Sequence, residues 1–314
     1  MNKQRPFRFG VLVQQARSKE DWVATARKAE SLGYSTLLVS DHLADQLAPV
    51  PSLVAAAEAT HVLRIGSFVF GNDFRHPVML AKEAATLDLL SDGRFELGMG
   101  TGFLRSDYDQ AGIPYDPAGV RVSRMEEALH IIKGLFADGP LTFSGTYYTV
   151  TALEGHPKPL QRPSPPLLIG GGGKRVLSIA ARQATIVSLV PIARPDGSAP
   201  EVTDATSAAL TQKIAWVRQA AGERFDDLEL NIPVIEVVVT EDREQAAQFI
   251  ATTLASGLGI MAKQVLEVPY LLIGTVEQIC QDILARREQY GISYITVYEK
   301  NMEALAPVVA RLSG

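Results

Sequence analysis

The sequence predicts an α/β chain closed into a (β/α)8 barrel, a single domain over 1–314. Three observations carry that expectation. Short β-branched runs alternate with amphipathic helical segments, and eight such units follow one another with no composition break or low-complexity stretch. A helical segment also follows the last strand, which suits a closed ring better than an open doubly wound sheet.

The units can be justified in order. FRFGVLVQ (7–14) reads as strand one. In the helix after it, Ser18 is a candidate N-cap, Gly33 a stop, and Trp22, Ala26 and Ala29 share one face. TLLVSD (36–41) is strand two, followed by a helix over 51–60. LRIGSFVF (63–70) is strand three, and a helix begins at His76-Pro77. RFELGMG (94–100) is strand four. The next helix, 121–136, carries Val122, Met125, Leu129 and Ile132 on one stripe. LTFSGTYYTV (141–150) reads as a hairpin around Gly145, an insertion after strand four, and the Pro-rich run 156–166 as an extended connector. LLIG (167–170), TIVSLV (185–190), ELNIPVIEVVV (229–239) and YITVY (294–298) complete the eight strands. Helices are expected over 174–183, 205–221, 242–267 and 275–291, with a last one at the C-terminus. Further insertions are expected at 192–204 after strand six and 251–270 after strand seven. Either would suit a pocket cover, although Met261, Leu266 and Tyr270 read more readily as a helical core stripe.

The 314 residues are 46% hydrophobic and 21% charged, an ordinary globular composition. A formal charge of −5 argues against a nucleic-acid or anionic-membrane surface. No apolar run approaches the ~20 residues a membrane-spanning helix needs. MNKQRPFRFGVLVQQ enters a strand without a signal-peptide apolar region, so a cytoplasmic location is expected. Cys280 is the single cysteine and reads as a small core residue. Histidines 42, 61, 76, 130 and 156 show no metal-ligand spacing, so no metal is expected.

In barrels of this kind the active site lies where strands end and lead into helices. Four consecutive strands end there in polar or glycine-rich stretches: Ser40-Asp41-His42, then Gly71-Asn72-Asp73, then Gly98-Met99-Gly100-Thr101-Gly102-Phe103, then Gly170, Gly171, Gly172 and Gly173. The four glycines fit neither the P-loop spacing nor a dinucleotide fingerprint. Unobstructed N–H groups at a helix start nevertheless attract an anion, and Lys174 and Arg175 add charge. A phosphate cradle is therefore the preferred reading over a plain glycine turn. The alternating Gly98, Gly100 and Gly102 would let a flat ring lie against backbone, or relieve crowding inside the barrel. Asp41 and His42 read as a reactive pair, or as a cap beside a core histidine. Arg75 and His76 read equally as structural or cofactor-edge residues.

With these residues in view, the chain resembles the luciferase-like monooxygenase superfamily, and within it the actinobacterial coenzyme F420-dependent oxidoreductases. The resemblance is carried by SDHLADQLAP, the stretch LRIGSFVFGNDFRHPVMLAKEAATLDLLSDGRFELGMGTGF, PPLLIGGGGKRVLSIAARQA and LIGTVEQICQDILARREQYGISYITVY. It implies a luciferase-like barrel with Asp41 and His42 near the reactive face of a deazaflavin. It also implies a bulged third strand with a non-prolyl cis peptide, here Phe68-Val69, under the ring. Gly71, Asn72, Gly98, Gly100, Thr101 and Gly102 would line the ring and ribityl chain, and Gly170–Gly173 with Lys174 and Arg175 would hold the phosphate. A homodimer is implied as well.

Two departures matter. The branch that oxidises sugar phosphates has a tryptophan four residues after the histidine and a glutamate after Gly-Thr-Gly; here Gln46 and Phe103 stand there. This argues against sugar-phosphate oxidation and for a more apolar substrate surface, with Phe103 and Tyr108 facing substrate. The expected activity is an F420-dependent hydride transfer, as a reductase of an electron-poor C=C or C=N bond in a small organic or peptide-derived substrate. His42 is the first candidate for the proton donor because imidazole titrates near neutrality. Asp73, Asp107 and Tyr108 are weaker candidates. The rival readings are an FMN-dependent monooxygenase and a cofactor-binding barrel without turnover. An aldolase would want a lysine on a strand, and the strands named here have none.

Overall fold

The computed structural model describes residues 5–253 and 261–313. In chain order, β1 (Arg8–Leu12), α1 (Lys19–Ser31), β2 (Thr36–Val39) and α2 (Pro49–Ala59) lead to a third strand in two pieces, β3 (Arg64–Ser67) and β4 (Phe70–Gly71). Then come α3 (Pro77–Leu90), β5 (Phe95–Gly100), α4 (Arg105–Ala111), α5 (Ala118–Phe136), the hairpin β6 (Pro140–Ser144) and β7 (Thr149–Glu154), and β8 (Leu167–Gly171). The chain continues through α6 (Lys174–Gln183), β9 (Ile186–Leu189), α7 (Ser207–Ala221), β10 (Glu229–Val234), β11 (Glu236–Val239), α8 (Arg243–Thr252), α9 (Ala262–Val265) and β12 (Leu271–Gly274). It closes with α10 (Val276–Tyr290), β13 (Ile292–Tyr298) and α11 (Met302–Leu312).

The main sheet runs β3-β2-β1-β13-β10-β9-β8-β5-β4, and a further β3–β5 pairing joins its ends. With β3 and β4 as halves of one stave, this is a closed parallel barrel of eight strands. The cap at Ser18 and the stop at Gly33 fall where the sequence places them, and the structure adds a capping box at Thr275. Ser18 caps α1 by accepting from Asp21 N, Gly33 takes φ +81°, and Thr275 and Gln278 form a reciprocal capping box on α10. Most of the core lies between strands and helices. A smaller cluster fills the barrel interior: Leu12, Leu38, Leu168, Ile186 and Tyr294, with half-buried Phe68, Val69 and Tyr298 against it. Cys280 is buried, and burial raises its thiol pKa, as suits a core residue.

The structure departs from the sequence reading at two elements. The run 229–239 is not one strand. β10 is buried at every position, whereas β11 leaves the barrel after Ile235 and pairs in parallel with β12. Ile235 N donates to Tyr270 O at the break, a long-range partner that the local pattern does not reveal. The helical segments expected within 242–267 are α8 and α9, and part of the stretch, 254–260, lies outside the described residues. Within that excursion Tyr270 is fully buried in the main core, Leu266 packs on a small separate cluster of Ala247, Ile250, Val265 and Ile273, and Met261 is exposed. Finally, α4 is a helix that the sequence pattern does not show.

The barrel floor is closed by charge. Arg8 bonds Glu96 at 2.5 Å and Glu229 at 2.9 Å, Arg64 bonds Glu96 at 2.6 Å, and the Arg8 guanidinium lies 4.4 Å over the Tyr294 ring. Nearer the mouth, the third strand is bulged. Gly66 pairs with Glu96 but Phe70 with Met99, so four residues advance against three, and the Phe68–Val69 peptide between them is cis. Ser67 Oγ bridges the gap, accepting from Gly98 N and donating to Gly98 O, both at 2.9 Å. A Cβ on Gly98 would sit 1.9 Å from Ser67 O. Gly98→Ala should therefore cost about 3 kcal/mol in urea unfolding, the upper end for overpacking. Gly119→Ala, with nothing within 4 Å of the added carbon, should shift stability by less than about 1 kcal/mol.

Candidate active site at the barrel mouth

Strand β2 delivers Ser40, Asp41 and His42 to the mouth. Asp41 is buried and accepts from Gly71 N at 2.9 Å, and from Arg75 through Nη1 at 2.6 Å and Nη2 at 3.1 Å. The bidentate pair ties the β2 loop to the segment after the bulge. Arg75 in turn lies 4.7 Å over the Phe70 ring, so it braces Asp41 from below. His76 caps α3 through Nδ1, beside the Tyr148 ring.

His42 turns toward α4. Its Nδ1 lies 2.7 Å from Asp107 Oδ2, while the other carboxylate oxygen accepts from Leu43 N at 3.2 Å. An ionised carboxylate only accepts, so Nδ1 carries the hydrogen of this contact. Asp107 is 4% exposed and the His42 side chain 27% exposed, so the carboxylate is sheltered while the ring meets solvent. The Phe103 ring meets the imidazole at 87°, 5.8 Å between centroids.

Tyr108, expected to face substrate, is fully buried. Its Oη lies 3.1 Å from Asp73 Oδ2 and 3.3 Å from Thr101 O. Burial and the Asp73 charge hold the phenol well above the usual tyrosine range, so it stays protonated and donates. Asp73 is held on its other oxygen by Arg124 at 2.9 Å, and Asn72 beside it is buried. Arg121 donates to Gly102 O at 2.8 Å and lies 4.2 Å over the Tyr115 ring. Nothing in the sequence singles out Arg121 or Arg124, because both fall on an ordinary amphipathic helix and gain their roles through loops far away in the chain.

The glycines separate into two kinds. A Cβ would meet Val69 Cγ2 at 2.6 Å from Gly100, Tyr108 Oη at 2.0 Å from Gly102, Val176 Cγ1 at 2.5 Å from Gly171, and Ile192 N at 2.5 Å from Gly172. These four, like Gly98, are required by the protein's own packing. Gly170 and Gly173 are different. A Cβ would find only ordinary contacts, the nearest at 3.5 Å and 3.9 Å, and neither residue needs positive φ. The chain's packing therefore leaves open ground at the end of β8 and the start of α6, whose first turn has no side-chain cap. A phosphate fits there: bare N–H groups at a helix start, with room in front of them. Lys174 is exposed, whereas Arg175 turns aside to Gly119 O at 2.9 Å and Ser123 Oγ at 2.8 Å. Half-buried Phe68, Val69 and Tyr298 pack on the barrel-interior cluster, Val69 beside Gly170, and offer a flat ring an apolar floor.

A groove of about 430 Å³ lies elsewhere, on the outer face between α7 and α10, lined by Thr211, Ile214, Arg218, Gln289 and Tyr290 among others. It brings together no acid–base pair. The mouth does, and convergent polar groups over an apolar floor are what a cofactor site requires.

Comparisons with known proteins agree on the architecture. F420-dependent tetrahydromethanopterin reductase from Methanopyrus kandleri superposes with a TM-score of 0.78 at 17% identity, over 99% of this chain and 100% of that one. The F420-dependent glucose-6-phosphate dehydrogenase of Microbacterium testaceum is 34% identical over 164 residues, 50% of this chain and 48% of that protein. The oxygenase component of a flavin-dependent trigonelline monooxygenase from Acinetobacter baylyi is 25% identical over 240 residues, 75% of this chain and 63% of that protein. The chain thus matches about half the length of the first of these curated relatives. No described helix is long and apolar enough to cross a membrane. The luciferase-like monooxygenase family model matches residues 5–269 on this closed barrel, and the chain belongs to that family.

Proposed function

We propose that the protein is an F420-dependent oxidoreductase, acting as a reductase on an electron-poor C=C or C=N bond of a small organic or peptide-derived substrate. The observation that carries this reading is the meeting, at one barrel mouth, of a carboxylate-oriented imidazole with an apolar floor and an unfilled main-chain cradle. The glucose-6-phosphate dehydrogenase relative supports the choice of F420. The reduced deazaflavin, when bound, supplies a hydride from C5.

The protein's share is binding, orientation and proton handling. Gly170, Gly173 and the first amides of α6 hold the phosphate. The Phe68–Val69 bulge and Tyr298 would support the ring, and the Asp41–Arg75 pair, which fixes Gly71 N, would keep Gly71 and Asn72 in place to line it. His42 gives the proton on Nε2 to the substrate atom next to the one receiving hydride. Asp107 keeps Nδ1–H in place throughout, so the ring ends neutral with its outer nitrogen free to be reprotonated from solvent. Asp41 and Asp73, each bound to an arginine, serve as positioning groups in this scheme.

Substrate character follows from the walls. Gln46 accepts from Ser40 Oγ at 2.6 Å, and Ser40 Oγ accepts from Gln14 Nε2 at 3.1 Å, so Gln46 is engaged within the protein. Phe103 places an aromatic edge against His42. An apolar acceptor suits that lip better than a sugar phosphate. The trigonelline monooxygenase relative favours a second reading, an FMN-dependent monooxygenase on the same site.

Titration of the pure protein should show micromolar or tighter binding of F420; tight binding of FMN alone would decide for the monooxygenase. Gly170→Ala should weaken F420 binding by about tenfold with the thermal midpoint unchanged, because its Cβ has room in the fold but intrudes on the cradle. His42→Ala should lower turnover by about 10²-fold or more, measured with a panel of enones, imines and dehydroamino acids, while F420 affinity stays near wild type. An equal loss of both would make His42 a binding residue.

A further inference from the structure

The inference drawn next rests on the reading of His42 as the proton-handling group. α4 spans seven residues, and a helix so short is not stable by itself in water. Its position must come from tertiary contacts, and only two of its residues are buried, Asp107 and Tyr108. Asp107 faces His42, while Tyr108 faces away from it. Arg105 N donates to Gly197 O at the start of α4, and something further has to hold the helix so that the carboxylate arrives 2.7 Å from Nδ1.

We infer that Tyr108 is the positioning residue for the His42–Asp107 pair, and that Asp73 acts through it. The Tyr108 ring packs edge-on to Tyr115 at 5.0 Å and against Phe74 at 5.3 Å. Its hydroxyl occupies the space that a side chain on Gly102 would fill and donates to Asp73 on the loop after the bulge. Asp73 is anchored in turn by Arg124 of α5. A hydrogen-bonded line therefore runs from Arg124 through Asp73 to Tyr108, and along one step of α4 to Asp107 and His42. Three separate loops, those after β2, β4 and β5, are brought to a common register by it. Gly102, the second glycine of Gly-Thr-Gly, makes room for the tyrosine hydroxyl, which gives that glycine a role apart from any ligand. Tyr108 is fully buried, so its effect on chemistry is indirect.

The imidazole tautomer reports this directly, without cofactor or substrate. In water neutral histidine favours hydrogen on Nε2; a fixed carboxylate at Nδ1 reverses that preference. In the 15N-labelled full chain, ring nitrogen shifts at alkaline pH identify the tautomer, with His42 assigned among the five histidines by its loss in His42→Gln. The wild type should show Nδ1–H, and Asp107→Ala should lose it. Tyr108→Phe, which keeps the ring, should raise the Nε2–H fraction at least twofold. Asp73→Ala, which leaves the tyrosine itself intact, should do the same and serves if the first variant does not fold. Tyr115→Phe, whose hydroxyl bonds Phe103 O instead, should leave the wild-type tautomer. If Asp107→Ala changes the tautomer while folded Tyr108→Phe and Asp73→Ala do not, the role of Tyr108 is overturned and the His42–Asp107 pair stands. If Asp107→Ala changes nothing, the pair itself, and with it the proton-handling reading, fails.

Discussion

Ser67 and Gly98 exchange two hydrogen bonds through a single hydroxyl, and the mouth is built outward from that contact. The third stave carries one residue more than its neighbour. A bulge of this kind breaks ladder pairing, and the loss must be made good inside a closed barrel, where water does not reach. Ser67 Oγ does so by serving Gly98 as both donor and acceptor. With the backbone held there, Phe68 and Val69 turn into the barrel and form its upper floor. Phe70 and Gly71 then resume pairing with β5, which brings Gly71 N to Asp41 and Asp73 to Tyr108. The paired carboxylates around the site all depend on where this strand re-emerges.

Charge is arranged differently at the two ends of the barrel. At the floor Arg8, Arg64, Glu96 and Glu229 neutralise one another, and burial is the chief cause that raises the Glu229 carboxyl. That network closes the barrel and offers no open edge. At the mouth Asp41 is matched to Arg75, Asp73 to Arg124, and Asp107 to His42. The first two are carboxylate–guanidinium pairs, and a guanidinium does not deprotonate in proteins. The third joins the carboxylate to a ring that can exchange a proton on its far side. Of the three, only the last is suited to moving a proton, and it is the one set beside an aromatic lip.

The glycines show how one residue type answers two demands. Gly98, Gly100, Gly102, Gly171 and Gly172 make room for the protein's own atoms, in two cases for backbone. Gly170 and Gly173 make room that the protein does not fill. A run such as Gly170–Gly173 therefore mixes packing with recognition, and the interior pair serves the first while the flanking pair serves the second. The crowded members keep the loop after β9 tight against the start of α6, and the open members keep its amides bare.

Much was legible in the chain itself. Eight alternating units, the cap at Ser18, the stop at Gly33 and the polar strand ends at Asp41-His42 and Asn72-Asp73 are local features, set by period, φ and hydrogen-bonding type within a few residues. They suffice for the closed barrel and for the expectation that the site lies at the strand ends. The tertiary structure decided the rest, because it depended on contacts between distant segments. β11 leaves the barrel where Ile235 N meets Tyr270 O, α4 starts where Arg105 N meets Gly197 O and buries Asp107 and Tyr108, and Tyr108 lies inside rather than at the pocket wall. Most of all, whether a glycine is crowded or open is a property of what arrives opposite it. A sequence states that a side chain is missing; only the fold shows whether protein atoms already occupy its place.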